Sequence, residues 1–391
     1  MKSANQRVVV TGMGAVTAYG VGTHALINGA LAGVNTIQPI QGFTTDGLPA
    51  MIASEVDSAT LPSAPPCLHS KAAGMAWLAA NEALSQSGGN PEALCAAIGW
   101  SAPPDGSAHE SQPGASARDL QNELHCSGPL LTDHAACSAG LHAFAHAARL
   151  IRCGEVSACL AGAADSRVHP VGIISYARLG VLNTTDNDNA TRASRPFNWN
   201  RAGFVVGEGA GFLMLESLEH AQQRKADILG ELAGWALSND ADHLTDPKLD
   251  GSGAVQCIQC CLKHSGCRLE EIDYLNAHGT STLHNDQMES SAYRSLWPDN
   301  DGPWISSSKS MTGHLSMASG AVESIITLGA LQRSILPPTL NLNHPDPVTS
   351  GLNLIGPQPL KHPARTALKT SYGLGGQNAA IVWKKWSVSG L

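Results

Sequence analysis

Short apolar runs alternate with amphipathic stretches along most of this chain. Residues 7–11 (RVVVT), stopped by Gly12, read as a buried strand. Residues 23–32 predict a helix, and residues 33–67, rich in Gly and Pro, a loop with short strands. Residues 70–87 carry clear helical periodicity, closed by Gly88-Gly89. Residues 96–100 are strand-like, and the polar, Pro/Gly/Ser-rich residues 101–118 predict an exposed loop. A further helix leads to residues 131–149, LTDHAACSAGLHAFAHAAR, where Leu141, Phe144, Ala145, Ala148, Leu150 and Ile151 recur at helical spacing. Residues 158–163 predict a small-residue strand and residues 175–198 mostly loop. Residues 204–216 predict strand, glycine turn and strand, with a helix at 217–225.

A second cycle opens at Ile228 with a strand (ILGELAGW), a helix at 252–265 and a strand at 274–277 followed by a loop. A strand at 304–306, a loop, a long helix from about Gly320 to Ser334, and strands at 365–371 and 378–383 complete it. Such alternation predicts an α/β architecture with helices on both sheet faces. The cycles share an outline. Each places a small-residue helix start, ACSAG in one and MTGHLSMASG in the other, well after its opening strand, which suggests an internal duplication.

Composition narrows the classes. With 391 residues, 43% of them hydrophobic, the chain can bury a large core and form two or three domains. A net charge of −8, with no Lys/Arg cluster longer than Lys384-Lys385, argues against nucleic acid or an anionic membrane as partner. No apolar run approaches bilayer length, and MKSANQRVVV passes directly into a strand, so a cytoplasmic location with ten free thiols is expected. Cys257 and Cys260 have the spacing of half a zinc site. With Cys261, however, they lie in an amphipathic helix ended by Gly266, Cys267 follows directly, and no second half-site comes after it, so the four read as structural and no metal is expected. Gly12-Met13-Gly14 follows a strand as in a dinucleotide fingerprint, but Thr17 stands where a third glycine belongs, and a tight turn explains it as well.

Candidate chemistry centres on Cys137, read as the first residue of a buried helix reached by a tight turn from a strand. The partial positive charge and free N–H groups of a helix start favour thiolate. A packed core cysteine is the alternative. Three loops join it: NAHGTST at 276–282, KSMTGHLSMASG at 309–320 and SYGLGGQN at 371–378. They add His278 and His314, at the strand-to-loop and loop-to-helix junctions where open α/β sheets place their sites.

These motifs, with VVVTGMGAVTAYG, DHAACSAGLHA and RPFNWNRAGFVVGEGAG, resemble in order and spacing the signatures of the elongating β-ketoacyl-(acyl carrier protein) synthases of the thiolase superfamily. The resemblance runs nearly end to end. It implies a thiolase-like α/β fold, two duplicated halves with mixed sheets stacked as a five-layered α-β-α-β-α sandwich. Residues 1–226 would carry the nucleophile and residues 227–391 the two histidines. It implies an acyltransferase that condenses an acyl group held on Cys137 with malonyl-acyl carrier protein, losing carbon dioxide. Cys137, His278, His314 and Lys309 would be the catalytic set, with the N–H groups of Cys137 and Leu374 as oxyanion hole. Thr280 and Thr282 would contact pantetheine. Glu323 would pair near Lys309, and Asp286 and Glu289 would play supporting parts. No cofactor would be tightly bound, the acyl and malonyl groups riding on the phosphopantetheine of acyl carrier protein. The implied partners are that carrier and a second subunit, either a like chain or a related ketosynthase or chain-length factor.

The chain departs from the family in its short 101–118 segment, in His134 and Ala136, and in Leu374 where a phenylalanine gate is usual. These departures point to a specialised type II polyketide, polyene or fatty-acid line. The other readings are a pocket-shaping, chain-length-factor-like subunit, an O- or N-acyltransferase on the same fold, and a Cys-His-Asn protease. The intact Cys137, His278, His314 and Lys309 weigh against them.

Overall fold

The computed structural model describes residues 6–99 and 114–387. Among these residues, ten main strands carry the fold. The first five are β1 (Val8–Thr17), β2 (Ala93–Ile98), β3 (Leu130–Thr132), β4 (Ala158–Ser166) and β5 (Glu208–Ser217). The second five are β6 (Gly230–Asn239), β7 (Tyr274–Asn276), β8 (Trp304–Ser306), β9 (Thr366–Gly373) and β10 (Gln377–Lys384). The first set is ordered β3-β2-β4-β5-β1 and the second β8-β7-β9-β10-β6. The strand senses repeat as well. β2 is parallel to β3 and β4, and β5 antiparallel to β4 and β1. Likewise β7 is parallel to β8 and β9, and β10 antiparallel to β9 and β6. The same order and sense twice over is the duplication that the sequence pattern suggested. The two mixed sheets join where β1 also pairs with β6, Val8 opposite Leu232 and Val10 opposite Gly230.

Of the helices among the described residues, six matter most here: α1 (Lys71–Ser87), α2 (Ala115–Glu123), α3 (Ala139–Arg152), α4 (Ser252–Ser265), α5 (Leu283–Leu296) and α6 (Ser319–Arg333). α1 covers β1, β5 and β4 from outside, and α4 covers β6 and β10. α3 and α6 pack against each other between the sheets, each touching strands of both halves. That gives the α-β-α-β-α order. A helix buried all round needs small or apolar residues on every face, and every residue of α6 from Ser319 to Leu331 is buried. The two central helices approach closely at glycines near their starts. A Cβ on Gly140 would lie 2.7 Å from Ala321 N, and one on Gly320 would lie 2.9 Å from Leu141 Cγ. This crossing fixes where the functional loops converge.

Several expectations change. Gly12 does not stop the first strand. Both Gly12 and Gly14 lie inside β1, and a side chain at either would strike the backbone of α1 at Ala83 and Ala79. Close packing of helix on strand therefore explains the glycines, and no turn is involved. Residues 175–198 are interrupted by helices at Pro170–Arg178 and Ala190–Ala193. α5 stands where only loop was expected: its buried side mixes polar residues (Asn285, Asp286, Glu289, Ser290) with Met288, Ala292, Tyr293 and Leu296, so the apolar period is diluted in the first turns. α2 begins at Ala115, inside the expected 101–118 loop, of which residues 101–113 lie outside the described residues. No helix among the described residues is long and apolar enough to cross a membrane.

Candidate active site

Between β3 and α3 the chain makes a single tight helical turn, Ala136–Ser138, with Ala136 at φ +46°. Cys137 therefore sits in that turn, two residues ahead of α3, and is not the helix's first residue. Left-handed backbone at a residue other than glycine persists only where its surroundings enforce it. Here Ser138 donates both its N–H (3.0 Å) and its hydroxyl (2.7 Å) to Ala135 O. Asp133 accepts Ala135 N–H at 2.8 Å on one oxygen. Its other oxygen lies 3.2 Å from His142 Nδ1 and 3.0 Å from His146 Nε2, two imidazoles one turn apart on α3. Burial alone would raise the Asp133 carboxyl, but hydrogen bonds from His142 and His146 outweigh it and hold the group well below its usual range. The aspartate thus ties the turn to the helix it feeds. Asp133, His142 and His146 lie close enough together to hold a metal ion, but the carboxylate hydrogen bonds account for the arrangement without one.

Burial pushes the Cys137 thiol up to about 11, partly offset by the Lys309 ammonium and by a hydrogen bond from Leu374 N–H. The expectation that a helix start would favour thiolate is therefore corrected: desolvation of the charged sulfur dominates in this dry position. Leu374 belongs to the glycine turn between β9 and β10, where Gly375 and Gly376 take φ of +93° and +75°. Gly373 lies flat against the cysteine turn, and a Cβ there would be 2.8 Å from Ala135 O and 3.3 Å from Cys137 N. Ser371 Oγ donates to Cys137 O at 2.9 Å.

His278 follows β7, and its loop is fixed from α5. Glu289 accepts His278 N–H at 2.8 Å, Gly279 N–H at 2.5 Å, Asn285 Nδ2–H at 2.8 Å and the Tyr293 hydroxyl at 2.5 Å. Asp286 touches neither histidine. It accepts Phe197 N–H (2.8 Å) and Ser281 N–H (3.2 Å) and lies 3.6 Å from Arg201. Arg201 in turn donates to Thr282 O and Leu283 O, each at 3.1 Å, so the RPFNWNRAGF segment braces the HGTST loop. The Thr280 and Thr282 hydroxyls are 2.9 Å apart on the cavity wall.

His314 stands just before α6, its N–H donated to Val205 O at 2.7 Å. Its Nδ1 accepts Ser316 N–H at 3.2 Å and lies 2.9 Å from Ser319 Oγ. A backbone N–H can only donate, so Nδ1 is bare and the ring proton is on Nε2. The same logic holds at His278, whose Nδ1 is 3.3 Å from the Lys309 ammonium. The rings lie edge to face with centroids 5.3 Å apart. Burial, then the Lys309 charge, depress both imidazoles well below their ordinary range, so both are neutral at pH 7. The site thus presents two neutral Nε2–H donors.

Behind them lies a buried ion group. Lys309 Nζ is 2.6 Å from Glu323 Oε1 and donates to His278 O at 2.6 Å. Lys369 Nζ, on β9, is 2.6 Å from Glu323 Oε2. Lys309 and Glu323 were singled out from the sequence, but Lys369, Asp133, His142 and His146 were not. For Lys369 a signal existed, a lysine within an otherwise buried strand (ALKTS), which is rare unless the charge is paired. Cys137, His278, His314, Leu374, Thr280 and Thr282 all line one cavity of about 300 Å³.

Comparison with known proteins agrees with this constellation. Residues 106–221 match the model of the β-ketoacyl synthase N-terminal domain and residues 229–343 that of the C-terminal domain. Over 98% of its length the chain is 35% identical to a 3-oxoacyl-[acyl-carrier-protein] synthase 2 of Rhizobium meliloti (strain 1021), of which it covers 99%. This chain belongs to the β-ketoacyl synthase family. Among solved structures, a type II polyketide ketosynthase in complex with its acyl-carrier protein superposes with a TM-score of 0.87 at 31% identity, covering 97% of this chain and all of that one. The ishigamide ketosynthase/chain length factor gives 0.88 at 29% identity, covering 98% and 100%. The family's thiolase-like architecture is the five-layered one described above.

Proposed function

We propose that this chain is a β-ketoacyl-acyl carrier protein synthase performing a decarboxylative Claisen condensation. The observation that carries this is the pair of neutral Nε2–H donors, His278 and His314, sharing one cavity with a buried cysteine. Cys137 Sγ attacks the thioester carbonyl of an acyl-carrier protein. The bond from that carbonyl to the carrier's phosphopantetheine sulfur breaks, and the released thiol takes up the proton that Cys137 gives up. The N–H groups of Cys137 and Leu374 hold the tetrahedral oxyanion, a contribution of about 10²–10³ in rate for a single such donor. Malonyl-carrier protein then enters, with Thr280 and Thr282 against its pantetheine arm. As its carboxylate leaves as carbon dioxide, the bonding electron pair passes into an enolate, whose oxygen accepts hydrogen bonds from His278 and His314. Imidazolium would protonate the enolate, so neutrality matters. The enolate carbon attacks the acyl-Cys137 carbonyl, the bond from that carbonyl carbon to Cys137 Sγ breaks, the sulfur regains a proton from water, and a β-ketoacyl-carrier protein departs.

Lys309 and Glu323 set the orientation of His278, and Asp286 the loop that follows it. Residues 1–226 supply the nucleophile and residues 227–391 the donors. No cofactor is bound tightly, the acyl groups arriving on acyl carrier protein in the cytoplasm. The second subunit is a like chain or a related ketosynthase or chain-length-factor subunit. Leu374 at the gate position suits a specialised type II polyketide, polyene or fatty-acid line.

The test is intact-protein mass spectrometry after incubation with acyl-carrier proteins of varied acyl type. A mass gain on wild type that is absent from Cys137→Ala, followed by carbon dioxide release from malonyl-carrier protein, is expected. Failure to acylate with any primer would overturn this reading in favour of the pocket-shaping subunit.

A further inference from the structure

Glu323 is shared by two lysines, and the chemistry above uses only one of them. Lys369 is fully buried, and its ammonium is ringed by oxygen: Glu323 Oε2 at 2.6 Å, Thr370 O at 2.7 Å, Ala277 O at 3.3 Å and Asn276 O at 3.4 Å. Asn276 and Ala277 are the residues that lead into His278. A lysine needs a strong reason to be this dry, since an unpaired ammonium there would be costly. Charge counting supplies one. Lys309 and Glu323 alone would be neutral; burial lowers the Lys369 ammonium to about 8, and below that pH the group carries one net positive charge directly behind the two histidines.

The geometry points to Lys369 as a positioning residue for the condensation. It clamps the carbonyls entering His278, pairs by charge with the second oxygen of Glu323 so that the first stays with Lys309 beside His278 Nδ1, and supplies the surplus charge that keeps both imidazoles as neutral Nε2–H donors in acid. Other charged or titratable groups face the pair as well: Glu289, Asp286 and Tyr293 from α5, Tyr372 from β9, Tyr274 from β7, Cys137 from the nucleophile turn, and Asp165, Arg167 and Tyr176 beyond it. Burial raises Asp286 and Glu289, and both stay within their own hydrogen-bond sets. Glu289 meets His278 at its backbone N–H, whereas the Lys309–Glu323–Lys369 group is the cationic group whose charge reaches both rings.

This inference rests on the ketosynthase reading, and its test separates the two. The pH dependence of malonyl-carrier protein decarboxylation is measured for wild type, Lys369→Met and Lys369→Met/Glu323→Gln. Methionine keeps the chain length and removes the charge, leaving the group neutral. The acid limb of kcat/KM should rise by about one pH unit, so that the variant loses about tenfold more activity at low pH than at pH 8. The double variant leaves Lys309 as the one net positive charge, and its limb should return toward wild type although more contacts are gone. A purely structural lysine predicts the reverse, with the double variant no better than the single. An unmoved limb in Lys369→Met, or a double variant that stays with the single, overturns the inference. If neither variant folds, nitrogen-15 titration of the wild-type imidazoles decides. Both rings should keep a bare Nδ1 and a protonated Nε2 at pH 5, and protonation of either near its ordinary pKa overturns the inference. Wild type that neither acylates at Cys137 nor releases carbon dioxide would instead sink the ketosynthase reading.

Discussion

The α3–α6 crossing can be tested by one substitution made at two places. At Gly140, the second residue of α3, an alanine Cβ would lie 2.7 Å from Ala321 N, 3.1 Å from Met317 O and 3.2 Å from Ala321 Cβ. Ordinary contacts are longer by several tenths of an ångström, and two of the three neighbours are backbone atoms of α6 and its entry turn, which cannot swing aside. Overfilling a packed core costs about 1–3 kcal/mol. The gain in helix propensity, at most about 1 kcal/mol, is reduced at a helix start. Gly140→Ala should therefore destabilise by about 1–2 kcal/mol. At Gly74, inside α1, the new Cβ meets only Ala64 Cβ at 3.4 Å, so Gly74→Ala should stabilise by about 0.5–1 kcal/mol. With an unfolding entropy of about 2 cal/mol/K per residue, each kcal/mol moves Tm by about 1 °C at this chain length. The variants should thus melt about 2–3 °C apart, on opposite sides of wild type, in scanning calorimetry at one protein concentration. The functional consequence follows from the same displacement. Parting the helix starts moves the Cys137 turn relative to His314, and misplacement by about 1 Å can cost about 10²-fold in rate. Condensation should fall at least about tenfold in Gly140→Ala and hold in Gly74→Ala. A Gly140→Ala protein that melts at or above wild type would refute the packing argument. One that melts low yet condenses at full rate would refute the link from crossing to site.

Three further outcomes are expected. Alkylation of Cys137 by iodoacetamide, followed by mass spectrometry, should accelerate with pH beyond pH 9, because burial places the thiol at about 11; a plateau near neutrality would contradict this. His278→Ala and His314→Ala should each retain acylation of Cys137 while losing about 10²–10³ in decarboxylation, read as carbon dioxide release, and loss of acylation itself would show a different division of labour. Glu289→Ala strips the acceptor from two backbone N–H groups and the Tyr293 hydroxyl, and should cost at least about 3 kcal/mol, seen as a large drop in denaturation midpoint; near-wild-type stability would mean that these groups find other partners.

What the sequence made legible was whatever rests on local pattern. The α4 boundaries (Ser252–Ser265) follow from apolar spacing and a glycine stop. Cys137, His278 and His314 stand out because small and hydroxyl residues surround them at element junctions. What stayed hidden depends on which side of an element faces water. α5 buries Asn285, Asp286 and Glu289 around the HGTST loop beside Met288, Ala292 and Leu296, so a period that reports burial of apolar groups is weakened there. Lys369 stands out only once ALKTS is taken as a strand buried on both faces, as β9 is. The Cys137 thiol lies above its ordinary value for the same reason, since a helix start favours thiolate only where desolvation does not outweigh it.

The duplication explains why the nucleophile and a donor meet at all. In the first half β3 leads through the turn Ala136–Ser138 into α3, and in the second β8 leads through α-helical residues 309–312 and the turn Ser316–Ala318 into α6. Both turns open on a left-handed residue other than glycine, Ala136 at φ +46° and Ser316 at φ +49°. The same strained entry is thus made twice, and the crossing of α3 and α6 sets the two copies close together. Their side chains break the symmetry. Cys137 corresponds in position to Met317, whose N–H is 3.2 Å from Asp165 Oδ2 at the end of β4. His314, two residues before Ser316, corresponds to His134, which is exposed, whereas His314 is buried against Phe204 at 4.9 Å. In the proposed chemistry one copy therefore provides the nucleophile and the other a buried hydrogen-bond donor. A substitution that relaxes either turn should disturb both half-reactions, because each turn is packed against the helix that the other one starts.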